Sequence, residues 1–407
     1  MWRLPAGAEF VLDRLHARGY QAYVVGGCVR DLLLGRAPKD FDVCTDALPE
    51  QMQQVFADCH VIETGLRHGT LTVMYDHEPY EVTTFRVDGA YADHRHPDEV
   101  VFVTNVREDL ARRDFTVNAM AWSPDTGLVD AFGGQEDLAA GIIRCVGDPR
   151  TRFDEDALRI MRAMRFASVY GFAIDPATDE AIHALRHTLG GVAGERIRVE
   201  LQKTLCGAGA GDILRSYDDV MITLIPPLKT VDWPRTVAGV EAAPPTEALR
   251  LAMLLREVDA DQVKAVLQGL RLDNATRDRV LTLVTHQEAA FAPSRHAMLT
   301  LLSTHGEEVT RQLLTIRRAK ALARHDRTKA DIDAEAAELT AMLDAVLSDG
   351  VCYTVKDMAV NGRDLMALGA QGKAVGACLS HLLELLLSET LPNDRAALLT
   401  AAKAYLG

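Results

Sequence analysis

The chain has 407 residues, a net charge of −14 and 48% hydrophobic residues. This length favours roughly two to four domains, and the apolar content is ample for packed cores. The acidic balance argues against a general polyanion-binding protein, because binding to phosphates needs a positive surface. The seven cysteines are scattered and never spaced as Cys-x-x-Cys, which indicates reduced thiols rather than a disulfide framework or a zinc site. No signal peptide or apolar run of transmembrane length is present, so we expect a soluble cytoplasmic protein without membrane contact.

A glycine pair follows the first predicted strand. The apolar residues 23–25 predict a buried strand, and Gly26 and Gly27 then turn the chain without a Cβ. The next residues predict a helix that ends at Gly35 and carries Arg30 in its first turn. Because amides at a helix N-terminus attract anions, this turn is a predicted site for the phosphate of a ligand.

Asp40 and Asp42 form a carboxylate pair shortly after this helix. The segment at 40–44, Asp-Phe-Asp-Val-Cys, alternates as a strand does, so both carboxylates are expected on one side. Two carboxylates held together repel each other unless a cation joins them, and oxygen ligands at a nucleotide site suit Mg²⁺. Asp40 and Asp42 are therefore predicted to hold two metal ions for in-line displacement at phosphorus.

The glycine turn and the carboxylate pair together resemble the signature of the DNA polymerase β-like nucleotidyltransferase superfamily. In that superfamily a Gly-Gly or Gly-Ser turn and a carboxylate pair on the neighbouring strand hold a nucleoside triphosphate and its metals. No Gly-x-x-x-x-Gly-Lys-Ser/Thr motif is present, so the sequence does not support a P-loop kinase or ATPase.

The predicted strands lie in the first third of the chain. They are the segments 23–25, 40–44, 69–75, 80–85 and 128–130, of which 70–75 and 81–85 are expected to pair as a hairpin. After Asp148 and Pro149 the hydrophobic pattern has a helical period almost without interruption. Within this part we expect a Pro-rich loop or domain joint at 231–246, a strong helix at 330–347 and a break at 350–357. The sequence thus predicts an α+β fold, a small head with a mixed sheet followed by helices.

One stretch of the helical part is strongly basic. Between residues 311 and 329 only Asp326 is acidic, and the basic residues are Arg311, Arg317, Arg318, Lys320, Arg324, Arg327 and Lys329. The stretch fits either a solvated helix face or a contact to an RNA backbone, and both interpretations stay open.

Two arginine motifs are candidates for the nucleotide site. Arg113 belongs to an Arg-Arg-Asp run at 112–114 and is predicted near the triphosphate, because a guanidinium matches phosphate oxygens as a fork. Charge density alone fits a salt-bridged helix start equally well. The second motif has one residue of interest every third position, which predicts a single stripe along a helix: Asp156, Arg159, Arg162 and Arg165.

Asp156 and Arg159 are suited to the edge of a nucleobase. Cytosine and adenine present an exocyclic amine beside a ring-nitrogen acceptor, so a carboxylate would accept from the amine and a guanidinium would donate to the ring nitrogen. Uracil and guanine present a carbonyl beside a ring N–H and would meet the wrong partners. A basic helix face with an acidic first turn is the simpler structural explanation of the same pattern.

With these motifs the chain resembles the class II bacterial CCA-adding enzymes. The resemblance also includes residues 85–97, the segment 112–119, Glu155 to Arg159, and the run Gly-Glu-Arg-Ile-Arg-Val-Glu at 194–200, and so covers about the first half of the chain. Two late segments, 360–366 and 392–394, resemble the tail of some members. Residues 206–350 show little beyond helical character.

The resemblance implies a seahorse-shaped molecule with four parts. These are a catalytic head at 1–144, a helical neck at 145–205, a body at 206–330 and a tail at 331–407. In the family, residues matching Asp40 and Asp42 hold the metals, and residues matching Gly27, Arg30 and Arg113 bind the triphosphate. The matches of Asp156 and Arg159 read the base, with those of Arg162 and Arg165 lining the nucleotide pocket.

The resemblance also implies the substrates. CTP is used twice and ATP once to build the 3′ CCA end, and body and tail bind the acceptor and TΨC arms of tRNA. No obligate protein partner is predicted.

Three other functions have to be compared with CCA addition. Poly(A) polymerases share head and neck, but their Gly-Arg/Lys-Arg/Lys-Phe run is replaced here by Glu-Val-Thr-Thr-Phe-Arg at 81–86. The segment 88–93 matches a flexible loop associated with the final A, which disfavours CC-only addition and leaves A-only addition open. A binding module without catalysis is disfavoured, because every carboxylate and arginine of the predicted site is present.

Overall fold

The structure is a computed structural model that describes residues 2–63, 65–89, 100–287 and 293–407. The chain divides into two compact units. The first unit comprises Met1–Lys229 with Gly269–Arg271, and the second comprises Thr230–Gln268 with Leu272–Gly407. All of the predicted site residues belong to the first unit. The segment 90–93 of the predicted flexible loop lies outside the described residues.

The first unit is built on a mixed sheet. Its largest sheet within the described residues has seven strands in the order β3-β4-β5-β2-β1-β8-β9, and two pairs of short strands lie apart from it. The strands are Ala22–Val25 (β1), Asp42–Thr45 (β2), His60–Ile62 (β3), Thr70–Tyr75 (β4), Glu78–Thr84 (β5), Arg86–Asp88 (β6), Val100–Phe102 (β7), Met120–Ser123 (β8), Gly127–Asp130 (β9), Ile142–Ile143 (β10) and Ala173–Ile174 (β11).

The predicted hairpin is present as β4 and β5, with a shorter turn than the sequence indicated. The register pairs Tyr75 with Glu78, so only Asp76 and His77 form the loop, and both have positive φ. Two-residue hairpin loops favour this left-handed backbone because its twist matches the twist of the strands. Parallel pairing of β2 with β5, next to antiparallel β1, makes the sheet mixed and confirms the predicted α+β class.

Helices of the first unit flank the sheet and then continue the chain. They are Ala6–His16 (α1), Gly27–Leu33 (α2), Pro49–Val55 (α3), Val106–Ala111 (α4), Gly134–Ala140 (α5), Pro149–Glu155 (α6), Leu158–Tyr170 (α7), Pro176–Leu185 (α8), Gly194–Cys206 (α9), Ala210–Ser216 (α10) and Asp218–Leu224 (α11). Helix α7 is the central one, because it packs on α9, α10 and β10 and buries Phe166.

Asp156 does not lie on the same helix as the three arginines, so the predicted single stripe is wrong for this residue. It has an extended backbone, with φ −143° and ψ 103°, at the break between α6 and α7. Its carboxylate accepts the N–H of Leu158 at 3.1 Å, a local bond by which Asp favours turns over helix interiors. Arg159, Arg162 and Arg165 do share α7.

The second unit is helical throughout its described residues. Its helices are Trp233–Ala242 (α12), Glu247–Leu255 (α13), Ala260–Gly269 (α14, whose last residue belongs to the first unit), Asn274–Thr285 (α15), Arg295–Arg324 (α16), Lys329–Ser348 (α17), Gly362–Ala367 (α18), Lys373–Leu387 (α19) and Arg395–Leu406 (α20). The helix predicted at 330–347 is confirmed as α17. Of the two alternatives predicted at 231–246, the loop is wrong, because Asp232 caps a helix that tolerates Pro234 in its first turn. The domain joint agrees with the boundary between the two units, which lies between Lys229 and Thr230.

The basic stretch at 311–329, which runs from α16 to the start of α17, pairs with acids of α17. Five of its seven basic residues form such ion pairs, which are Arg311–Asp344 at 2.7 Å, Arg317–Glu335 at 2.7 Å, Arg318–Asp333 at 2.6 Å, Arg327–Glu335 at 2.5 Å and Lys329–Asp333. This pairing favours the interpretation as an exposed, salt-bridged helix face. A contact to RNA stays a prediction.

No helix in the described parts of the chain is long and apolar enough to cross a membrane. The cysteines are all free thiols, five of them buried.

Candidate active site

The glycine turn joins β1 to α2, and its first residue is the one that requires glycine. Gly26 has φ +79°, and a Cβ at this position would lie 2.8 Å from Nη1 of Arg113. At Gly27 a Cβ would be 3.6 Å from Nη2 of Arg30, an ordinary contact distance. The turn therefore brings both predicted phosphate-binding arginines beside the chain where no side chain intervenes. The sequence prediction singled out Gly27, and the doublet was the signal that could have added Gly26.

The carboxylate pair lies at the start of β2. Asp42 is the first residue of the strand and Asp40 precedes it, so the strand is shorter than predicted, while both residues are exposed. Glu81 is a third acid that the sequence did not reveal as a neighbour. Val43 pairs with Val82 in parallel strands, and Asp42 and Glu81 are the residues directly before these two. Glu81 therefore lies beside Asp42. Such a pairing between distant segments has no local sequence signal.

Repulsion among these acids contributes to a raised pKa of Asp42. Although Asp42 is exposed, loss of solvation to the surrounding protein, together with the negative charges of Asp40 and Glu81, raises its pKa to about 6 against the opposing charge of Arg113. A bound cation would relieve this repulsion, so the donor set fits a divalent metal ion. The described residues contain no preformed group of three or more His, Cys, Asp or Glu that could hold a metal. The oxygens of a bound triphosphate would therefore have to complete the coordination.

Arg113 reaches this region from the chain after α4. Its Nη2 lies 3.4 Å from Asp109, a fully buried carboxylate that Arg112 also contacts at 2.8 Å. Burial alone would raise the pKa of Asp109, but Arg113 and Arg112 lower it overall. The buried Nε of Arg113 has no hydrogen-bond partner within the described residues. The Nη1 of Arg113 lies beside Gly26, so its guanidinium borders the glycine turn, as a phosphate-binding arginine requires.

Arg30 is buried and held in a fixed orientation. Its Nη1 donates to Oδ1 of Asn118 at 2.5 Å, and its Nε and Nη2 donate to Asp31 at 3.0 and 2.9 Å. The guanidinium also lies over the rings of Phe166 and Tyr170, 5.2 and 4.8 Å from their centroids. These contacts link the glycine turn to α7 within the same unit.

Phe166 is the centre of a cluster of three guanidinium groups. Arg165 and Arg162 lie 4.1 and 5.4 Å from its ring centroid, and Arg30 lies on the same ring. Aromatic faces attract cations, so one ring reduces the repulsion among three like charges. The sequence did not assign this role to Phe166, although its position directly after Arg165 was the available signal.

Two buried acids neutralise this cluster. Asp114 receives Nε of Arg162 at 2.7 Å, and Glu200 lies 2.7 Å from Nε of Arg165. Burial alone would raise the pKa of Asp114, but Arg162 and the hydrogen bond from Asn118 lower it to about 2. Asp114 therefore joins the head to α7 as a buried carboxylate paired with an arginine.

Asp156 and Arg159 are each paired with a different neighbour. Arg159 donates to Glu155 at 2.6 Å and to the carbonyl oxygens of Arg152 and Arg112 at 3.2 and 3.1 Å. Asp156 instead accepts from Nη2 and Nη1 of Arg196 at 2.8 and 3.3 Å. The structure thus places both predicted base-reading groups in the same region but does not pair them with each other.

Three family models match the chain in order. The poly(A) polymerase head domain matches residues 22–144, an RNA- and SrmB-binding site of polymerase A matches 171–220, and the second domain of tRNA nucleotidyltransferases matches 244–402. With the glycine turn, the carboxylate pair and the mixed sheet, these matches define a nucleotidyltransferase.

Curated proteins and solved structures narrow this class. The chain is 34% identical to the CCA-adding enzyme of Limosilactobacillus fermentum over 98% of this chain and 96% of that one. The crystal structure of the Bacillus stearothermophilus CCA-adding enzyme in complex with CTP has a TM-score of 0.81 at 30% identity, covering 98% and 96% of the two chains. The Thermotoga maritima CCA-adding enzyme complexed with tRNA shares the fold, with a TM-score of 0.67 at 22% identity over 100% and 97%. The chain belongs to the family of CCA-adding enzymes.

Proposed function

We propose that this protein adds and repairs the 3′-terminal CCA of tRNA, using CTP and ATP without a nucleic-acid template. The main support for the proposal is that one compact unit contains two clusters of site residues. A glycine turn with Arg113 and the Asp40–Asp42 pair forms one group. The other is the charged neck segment with Asp156 and Arg159. The first group is suited to phosphate transfer and the second to selection of a base.

The triphosphate is bound by the glycine turn and its two arginines. Gly27 begins α2, so its amide can face a phosphate oxygen, and Arg30 and Arg113 lie on either side of the turn. Their positive charges offset the charge that develops on the pyrophosphate as it leaves. Arg162 and Arg165 line the pocket next to Arg30, with which they share the ring of Phe166.

Asp40 and Asp42 would hold Mg²⁺ as the divalent metal, which would supply positive charge to the triphosphate and to the attacking and leaving oxygens. The tRNA 3′-hydroxyl oxygen attacks the α-phosphorus, and the bond from the α-phosphorus to the bridging oxygen breaks. Pyrophosphate leaves and the hydroxyl proton passes to solvent. No further side chain is required as a base.

Asp156 and Arg159 select the base. The Asp156 carboxylate accepts from the exocyclic amine of cytosine or adenine, and the Arg159 guanidinium donates to the adjacent ring nitrogen. For this contact Arg159 has to share or leave its bond to Glu155, since the two form an ion pair at 2.6 Å. UTP and GTP are rejected because they place a carbonyl against the carboxylate.

The remaining parts of the chain bind the tRNA. We assign the head to residues 1–144, the neck to 145–205, and the body and tail, which bind the acceptor and TΨC arms, to 206–330 and 331–407. The reaction takes place in the cytoplasm, consistent with seven free cysteines.

The decisive experiment measures incorporation of each labelled nucleotide into tRNAs that end before CCA, after C and after CC, with a generic RNA as control. Two C and then one A, restricted to tRNA, is the expected result. Long A tails on the generic RNA would instead indicate a poly(A) polymerase, A only after CC an A-adding enzyme, and no incorporation a binding module.

A further inference from the structure

Two charged residues of the run at 194–200, Arg196 and Glu200, contact the predicted nucleotide site. Helix α9 begins at Gly194, and Arg196 and Glu200 lie one turn apart on it, which places them on one face. Glu200 contacts Arg165 and Arg196 contacts Asp156. Each charged residue of this face therefore has a partner of opposite sign among the predicted nucleotide-binding residues.

Arg196 holds the Asp156 carboxylate as a fork. Its Nη2 is 2.8 Å from Oδ2 and its Nη1 is 3.3 Å from Oδ1, so each oxygen receives its own donor. Both side chains are mostly buried, with exposed fractions of 22% for Arg196 and 16% for Asp156. A two-point contact between planar groups fixes rotation as well as distance, which a single hydrogen bond does not do.

The hydrogen bonds of Asp156 leave room for one more donor. A carboxylate offers about four acceptor positions. Oδ1 receives the N–H of Leu158 and Nη1 of Arg196, while Oδ2 receives Nη2 of Arg196. One position, on Oδ2, therefore stays available for an incoming N–H group. This position has a fixed direction, because the other three hydrogen bonds, one from the Leu158 N–H and two from Arg196 on α9, fix the orientation of the carboxylate.

We propose that Arg196 is a positioning residue for nucleotide selection, which holds Asp156 so that its free acceptor position meets the exocyclic amine of cytosine or adenine. This inference rests on the proposed function. Arg196 itself does not contact the base. Without the two hydrogen bonds from Arg196, the Asp156 carboxylate can rotate, and its free acceptor position no longer has a fixed direction. The preference for a base that carries the exocyclic amine then declines.

The test removes the amine from the substrate and the fork from the protein. Single-turnover incorporation into tRNA that ends before CCA is measured with CTP, and with the matching pyrimidin-2-one ribonucleoside triphosphate, which lacks only the amine. The preference for CTP over this analogue is compared between the wild type, Arg196→Met and Arg196→Lys. Lys203→Met, an exposed change on the same helix, is the matched control.

We expect Arg196→Met to reduce the preference for the amine about tenfold, while Lys203→Met leaves it unchanged. Arg196→Lys should give an intermediate preference, because an ammonium keeps the charge but not the fork. If Arg196→Met does not fold, Arg196→Lys alone carries the comparison.

An unchanged preference in a less active or less stable Arg196 variant would overturn the inference and leave Arg196 a structural residue. A wild type that does not distinguish CTP from the analogue would overturn it as well. Failure of the proposed function is separate, since the wild type would then incorporate no CTP into tRNA.

Discussion

Helices α7 and α16 are both rich in arginine but differ in what surrounds the guanidinium groups. On α7, Arg162 and Arg165 meet one buried aromatic ring and two acids that are themselves at most 9% exposed. On α16, Arg318 and its neighbours meet acids of α17 that are about one-third exposed or more. A buried charge interacts more strongly with a charged ligand, because the surrounding protein screens it less than water screens an exposed ion pair.

The difference teaches that arginine density in a sequence does not locate a nucleotide site. The acids that neutralise α7, Asp114 and Glu200, come from segments 44 residues before and 30 residues after its ends, and they are buried together with the guanidinium groups. The acids that neutralise α16 come from the next helix and leave little charge unbalanced.

The largest effect is expected at the carboxylate pair at the start of β2. Asp40→Ala should lower CTP incorporation at least about 10³-fold, because the metal that it helps to hold contributes several kcal/mol to the transition state. Thermal stability should stay the same or rise slightly, since one of the mutually repelling acids is lost. Incorporation assays with thermal unfolding check both expectations, with the exposed Glu50→Ala as control. Activity within tenfold of the wild type would remove Asp40 from the metal site.

A second effect concerns the buried acid that pairs with α7. Asp114→Asn leaves Arg162 without its closest carboxylate and should lower the free energy of unfolding by about 3 kcal/mol. Urea unfolding is followed by tryptophan fluorescence in a Trp233→Phe background. The remaining tryptophans, Trp2 and Trp122, both belong to the first unit, so the signal reports on that unit alone. Asp212→Asn, which breaks an exposed pair with Arg215, should change stability by less than about 1 kcal/mol. Equal effects of both variants would contradict the contrast between buried and exposed pairs.

The Asp114 carboxylate also predicts how the free energy of unfolding changes at acidic pH. The pKa of Asp114 is lowered from 3.8 to about 2 in the folded protein. A lowered folded-state pKa gives stability that is present above pH 3.8 and is lost as pH falls towards 2. The whole contribution is about 2 kcal/mol, of which about 1 kcal/mol should be lost by pH 3. The stability difference between wild type and Asp114→Asn, measured by urea unfolding at pH 5 and pH 3, should narrow accordingly. A constant difference would show that the charge of Asp114 does not stabilise the fold.

Local patterns in the sequence were enough for some parts of the site. The glycine turn, Asp40 with Asp42 and the α7 arginines each have a signal within a few residues, and the structure places them as a group around the turn. Glu81 and Arg196 could not be assigned, because their roles depend on pairing between segments far apart in the chain. Asp156 was placed on a helix because spacing of three residues was given more weight than the tendency of Asp to bond its own backbone.

The smallest effect is expected on α16. Arg318→Ala should leave the dissociation constant for tRNA and its dependence on salt unchanged, because Asp333 already neutralises this guanidinium at 2.6 Å. The predicted RNA contact of the basic stretch then depends on Arg324, which forms no ion pair within the described residues and lines a cavity of about 160 Å³. Arg324→Ala should reduce the slope of log affinity against log salt by about one, as the loss of one phosphate contact does. Filter binding over a salt series measures both slopes. A reduced slope for Arg318→Ala would mean that its guanidinium leaves Asp333 for a phosphate, and the contrast between α7 and α16 would fail.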